Sequence, residues 1–99
     1  MKVFWTETAE GHLEGIYAYI AQDSEKYALL TVDRLTSRSK QIGAFPLSGR
    51  RVPEYDTDEI REIIEGQYRI IYRIKSDQID VLAVIHGARD IFRTEKEVH

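Results

Sequence analysis

Residues 60–86 read IREIIEGQYRIIYRIKSDQIDVLAVIH, and their pattern decides the fold. Three runs, "IREIIE", "YRIIYRIK" and "QIDVLAVIH", are rich in β-branched and aromatic residues. The turn-forming pieces "EGQ" and "KSDQ" separate them, so the segment predicts three successive antiparallel strands. Ile70 and Ile71, and then Val81 to Ile85, are apolar at consecutive positions. Strands of that kind are covered on both faces, which puts these two at the centre of a sheet. Alternation along "YRIIYRIK" sends Tyr68, Ile70, Tyr72 and Ile74 to one face and Arg69, Ile71, Arg73 and Lys75 to the other. The first face is the more apolar and is expected to meet helices, leaving the second partly open.

Those helices lie upstream. Lys2 to Trp5 is short, β-branched and aromatic and reads as a first strand. Thr6 can cap a helix whose first turn holds Glu7 and Glu10, with Ala9, Leu13, Ile16, Tyr17 and Ile20 at helical spacing. Asp23 and Ser24 end it and can cap a second helix, in which Ala28, Val32, Leu35 and Ile42 form the apolar face. Gly43 is placed to stop that helix, with Pro46 soon after. The segment "AFPLSGRRVPEYDTDE", residues 44–59, reads as the one long loop. The predicted fold is α+β: an N-terminal strand, an antiparallel helical hairpin, then a three-stranded antiparallel meander, forming one sheet packed on the helices. With 99 residues the chain is one domain, 1–99. The tail beyond Asp90 is polar and compatible with a short helix or with no regular structure.

Composition narrows the functional classes. There is no cysteine, which suits a reducing compartment. The start of the chain lacks a signal-peptide pattern, and no apolar run could span a bilayer, so no membrane role and a cytoplasmic location are expected. Net charge is −3 with a pI near 5.6. The imbalance is uneven: residues 1–33 carry two basic and six acidic side chains, residues 34–75 nine basic and six acidic. A mostly electrostatic grip on nucleic acid is therefore disfavoured. The glycines form neither GxGxxG nor a phosphate loop, no GxSxG is present, and His12, His86 and His99 lack metal-ligand spacing. No cofactor or metal is expected.

The side chains left for chemistry are mainly arginines: Arg50, Arg51, Arg61, Arg69, Arg73 and Arg89. On an open face their guanidinium forks could bind phosphates or carboxylates. Alternatively they pair with Glu54, Asp56, Glu62 and Glu65 as a solvated edge. His86 ends its strand on the face that alternation assigns to Leu82 and Val84, and its ordinary pKa suits acid–base work. Gly87 permits a sharp turn that could bring Arg89 back to the same edge. Gly11, Gly15 and Ala18 give the first helix a stripe of small residues, either an unconstrained exposed face or a place of close backbone approach.

Taken together, "WTETAEGHLEGIYAYIA", "FPLSGRRVPE", "IREIIEGQYRIIYRI" and "VLAVIHGARDI" resemble the RelE/ParE superfamily of small bacterial toxins, from about Val3 to Ile91. The resemblance implies the strand–helix–helix–sheet fold. It also implies the toxin half of a type II toxin–antitoxin, or plasmid-stabilisation, pair, neutralised by a DNA-binding antitoxin. RelE-like members cut messenger RNA on the ribosome without metal; ParE-like members inhibit DNA gyrase. A ribonuclease reading would use Arg61, Arg69 and Arg89 with His86 as acid or base, and of these the resemblance implies only Arg69 and Arg89. Arg69 matches the family's tyrosine–arginine strand motif, and Arg89 matches the arginine just past the last strand. This chain departs from the ribonucleases in having Arg61 as the only cation on "IREIIE", no tyrosine after Arg89, and an acidic pI. The ParE-like branch is favoured, with gyrase as target and direct nucleic-acid binding not expected. The other readings are an mRNA endonuclease and an inactive toxin kept as an antitoxin-binding co-repressor.

Overall fold

The computed structural model describes residues 1–87. The order is β1 (Lys2–Trp5), α1 (Glu7–Ala21), α2 (Glu25–Ala44), a 3-10 turn (Pro46–Ser48), β2 (Arg50–Arg51), β3 (Ile60–Glu65), β4 (Tyr68–Ile74) and β5 (Gln78–His86). The sheet runs β1-β5-β4-β3-β2. The β3–β4–β5 meander is antiparallel, as the sequence predicts, and β1 joins it parallel to β5. The stretch expected to be one long loop instead holds the end of α2, the 3-10 turn and β2, a two-residue strand paired with β3. A strand that short carries no period for a sequence reading to detect.

Local chemistry accounts for the element ends. Thr6 Oγ1 accepts the Ala9 amide at 3.2 Å and donates to the Val81 carbonyl at 2.8 Å, so one hydroxyl caps α1 and ties it to β5. Ser24 caps α2 by accepting the Tyr27 amide at 3.1 Å. At the β3–β4 turn Glu65 pairs with Tyr68, and Gly66 has φ +60°. A left-handed first central residue is what a two-residue hairpin of this hand requires. Gly43 does not stop α2, which runs one residue further and is capped by Phe45. It is instead buried where β1 crosses: a Cβ there would lie 2.6 Å from the Met1 carbonyl oxygen. The demand is for space rather than for a special backbone angle.

The central strands are buried on both faces. Against the helices lie Ile63, Ile70, Tyr72, Ile79, Val81 and Val84, together with Ala9, Leu35 and Ile42. On the opposite face Ile60, Ile71, Ala83 and Ile85 pack with Val52, and Tyr55 and Leu82 close over them. Fully burying an aliphatic side chain of this size contributes about 1.5–3 kcal/mol. Alternation breaks once. Ile71 pairs with Ala83 but Tyr72 with Val81, so Leu82 is the extra residue of a β-bulge. Leu82 therefore faces away from the helices with Ala83, and His86 shares a face with Val84 but not with Leu82. The Val84 amide just past the bulge donates to His12 Nδ1 on α1 at 3.3 Å.

Tyr72 fastens the connection from α2 to the sheet. Its hydroxyl donates to the Pro46 carbonyl at 2.7 Å and accepts the Gly49 amide at 3.0 Å, and burial pushes its pKa above the ordinary 10.0. A Cβ on Gly49 would collide with that hydroxyl and lie 2.6 Å from the Glu62 carbonyl oxygen. Tyr72→Phe is expected to cost about 1–3 kcal/mol in urea unfolding, by leaving the buried Gly49 amide and the part-buried Pro46 carbonyl without their partner. Gly49→Ala should cost about 1–3 kcal/mol through overpacking.

Asp80 predicts a pH dependence. The Lys75 ammonium at 2.6 Å, and then the Gln78 amide at 2.6 Å, hold its carboxyl below the usual 3.8. A folded-state pKa that is depressed contributes stability present above the unfolded value and lost as pH falls through the folded one. The stability gap between the native chain and Asp80→Asn should be constant from neutral pH to about pH 4 and close below it. Thermal melts across that range measure the gap, and one that stayed open into acid would contradict the assignment.

Candidate functional site

The arginines expected on an open face are placed in three different ways. Arg69 does lie opposite the helices, but it is buried and paired on both sides. Its Nε donates to Glu62 at 2.5 Å, and its two terminal nitrogens donate to the two carboxylate oxygens of Glu54 at 3.1 and 3.0 Å. Glu62, whose side chain has no exposed surface, accepts from Arg50 Nε on its other oxygen at 2.8 Å. Burial alone would lower the Arg69 pKa, but the bonds to Glu54 and Glu62 outweigh it and the net shift is upward. The expected pairing with Glu54 and Glu62 is present, then, as a buried network rather than a solvated edge.

Arg61 sits on the helix-facing side of β3, the side of Ile63. Its guanidinium donates to two backbone carbonyls, Asp58 and Gly49, each at 3.0 Å, and so braces the chain around β2. Arg50, Arg51 and Arg73 are the exposed ones: Arg50 reaches in to Glu62, Arg73 lies 3.5 Å from Glu59, and Arg51 contacts Asp56 and Asp58. His86 is exposed at the end of β5, with its ring edge-on to Tyr68 at 6.2 Å between centroids. Tyr68 packs on the helix side, so His86 and Arg69 are neighbours along the strands yet on opposite faces of the sheet. The structure does not gather Arg61, Arg69 and His86 into one site. Arg89 lies outside the described residues, as do His99 and the tail. Gly87 does not adopt a positive φ; its amide donates to the Gln67 carbonyl at 2.7 Å.

Sequence reasoning named Glu54 and Glu62 as partners but missed the burial of the Arg69 network, although the signal was there. The two-residue turn at Gly66 puts Ile64 opposite Arg69, and Glu62 is then the next residue of β3 on that face. The tyrosines were read singly, as helical or strand positions. Tyr19 and Tyr27 at the helical turn and Tyr68 at the β3–β4 turn converge on a cleft of about 410 Å³, together with Arg34 and Glu65. Burial first, then Tyr27 and Tyr19, push the Tyr68 phenol above its ordinary value. At neutral pH it is a hydrogen-bond donor in an aromatic surface rather than a base. Gly11 and Gly15 have nothing within 4 Å of where a Cβ would stand, so the small-residue stripe on α1 is not a helix–helix contact.

Glu62→Ala should cost about 1–3 kcal/mol, because it leaves the buried Arg69 Nε–H without an acceptor while Glu54 still pairs the terminal nitrogens. Replacing the whole buried set together, Glu54→Gln with Glu62→Leu and Arg69→Met, should recover most of that loss, since no buried charge is then left without its partner. Arg73→Ala, at an exposed pair, should stay within about 0.5 kcal/mol. Urea unfolding of the three variants checks the set, and equal losses at Glu62 and Arg73 would contradict it.

Among solved structures the chain is similar to one described as the chromosomal ParDE TA system from P. aeruginosa. The TM-score is 0.71 at 21% identity, over 87% of this chain and 95% of that one. At that identity the likeness shows a common fold. No curated protein sequence matches it significantly. The family model described as the ParE toxin of the type II toxin-antitoxin system, parDE, matches residues 3–91. With nearly its whole length inside that model, the chain belongs to the ParE toxin family of type II toxin–antitoxin systems.

Proposed function

We propose that this ParE-family chain arrests growth by binding rather than by cutting RNA, with cytoplasmic DNA gyrase as its target and a cognate DNA-binding antitoxin as its neutraliser. The observation that carries this reading is the state of Arg69. Metal-free RNA cleavage needs cations aimed at developing phosphoryl charge and a base beside the attacking hydroxyl. Here the Arg69 guanidinium is turned onto Glu54 and Glu62, and His86 stands on the other face of the sheet. The acidic balance of the chain also works against a polyanionic substrate. A binding toxin has no such requirement and needs only a complementary surface.

The test is a paired assay on the purified chain. Gyrase supercoiling should be inhibited and messenger RNA in a translating extract should stay intact, with inhibition relieved by the product of the adjacent reading frame. Codon-specific cleavage with normal supercoiling would overturn the proposal in favour of a ribonuclease built on Arg61, Arg69, His86 and Arg89. Neither effect, with a stable complex still formed, would mean an inactive toxin serving as co-repressor.

A further inference from the structure

At the turn of the helical hairpin, α1, α2 and the β3–β4 turn together enclose the cleft of about 410 Å³. Small-molecule sites span about 300–1,000 Å³, so one compact ring system fits it. Ile20 and Leu35, the latter 1% exposed, supply an aliphatic base. Tyr19 from α1, Tyr27 from α2 and Tyr68 from β4 supply aromatic surface around it. Tyr27, Thr31 and Arg34 recur at helical spacing, which brings all three to the cleft side of α2.

The polar groups around this base are mostly donors without partners in the fold. Among the described residues, none of the three phenol hydroxyls makes a hydrogen bond, and the Arg34 guanidinium has neither a hydrogen bond nor an ion pair. The Tyr68 phenol, held protonated by burial and then by Tyr27 and Tyr19, is able to donate. Glu65 is the one carboxylate among the described lining residues, and Arg38 already stands 3.9 Å from it. Two cations against one carboxylate leave the rim net positive, in a chain whose overall charge is −3. An aromatic interior with a free guanidinium at its rim is complementary to a flat ring that carries a negative group.

We propose that this cleft is a binding site for a small planar aromatic carboxylate. The ring lies among Tyr19, Tyr27 and Tyr68, where offset stacking and edge-on contacts are favourable. The carboxylate meets Arg34, whose planar fork matches its two oxygens. A cationic ring of the same size is repelled by the same guanidinium. The ligand touches α1, α2 and the β3–β4 turn at once, so occupancy fastens the hairpin to the sheet and stabilises the fold. The assignment holds whichever target the toxin acts on.

The probes are naphthoate, its neutral analogue naphthamide and the cation naphthylmethylammonium, titrated into the full chain and followed by NMR of the aromatic ring protons. Naphthoate should bind with a Kd of about 1 mM or tighter, shift the Tyr19, Tyr27 and Tyr68 signals, and raise the melting temperature saturably. Naphthamide should bind about tenfold more weakly, and the ammonium more weakly still. Arg34 is exposed, so Arg34→Gln should fold normally. It should bring naphthoate down to the affinity of naphthamide and leave naphthamide unchanged. Tyr27→Ala, at a side chain 56% exposed, should weaken all three probes. If Tyr27→Ala fails to fold, the Arg34→Gln comparison carries the test. No saturable binding, tightest binding by the ammonium, shifts centred away from the three tyrosines, or a naphthoate affinity indifferent to Arg34→Gln would overturn the proposal. So would tyrosine shifts that follow protein concentration without a probe, which would make a second copy the occupant.

Discussion

The Glu62 carboxylate, without exposed surface and with an arginine on each oxygen, is the interaction on which the outer half of the fold depends. An ionised carboxylate sealed from water is costly unless its charge and hydrogen bonds are answered nearby. Arg69 answers from β4 and Arg50 from β2, so the ion pairs cross-brace three adjacent strands. Arg69 in turn binds Glu54 and brings the segment after β2 down onto the sheet, where Val52 and Tyr55 cover Ile71, Ala83 and Ile85. A face that would otherwise expose aliphatic strands becomes a second core.

How much of this was legible from sequence depended on the length and regularity of each pattern. The helices were readable because Ala9, Leu13 and Ile16, and likewise Ala28, Leu35 and Ile42, repeat at helical spacing with Thr6 and Ser24 as caps. The central strands were readable because residues 70–71 and 81–85 are apolar without interruption. What escaped was decided by single contacts. Leu82 looks like any strand residue, and only pairing with β4 shows it to be the bulge that rotates His86 away from Arg69. Gly43 looks like a stop signal, but its neighbour is Met1, distant in sequence, and that contact makes it a packing residue. The candidate site was legible as a list of cations, not as a geometry, because counting arginines does not reveal which carboxylates hold them.

The same network shapes the functional reading. A sheet face carrying Arg69 and Arg73 looks from sequence like a phosphate platform, yet its strongest charge is spent within the fold. Two concave surface features suit recognition of a partner or ligand. They are an aromatic cleft at the end of the helical hairpin, and an apolar groove with an acidic lip at the β1 edge. Aromatic residues on a rigid scaffold supply contact area at low entropic cost. Both features sit on elements held by the helix-side core, so they present pre-formed surfaces.

The parallel pairing of β1 with β5 has a bearing on how the chain comes into being. Thr6 reaches Val81 across a sequence separation of 75 residues, so the first strand has no partner until the last described one exists. Closing so long a loop precedes the contacts that reward it, and topologies rich in such pairings fold slowly. On the ribosome, where about 5–20 residues are added each second, several seconds separate the emergence of β1 from that of β5. Over that interval Val3, Phe4 and Trp5 remain without their sheet. Assembly therefore waits for the synthesis of β5, and a nascent chain stopped before Gln78 lacks the strand that joins β1 to the rest.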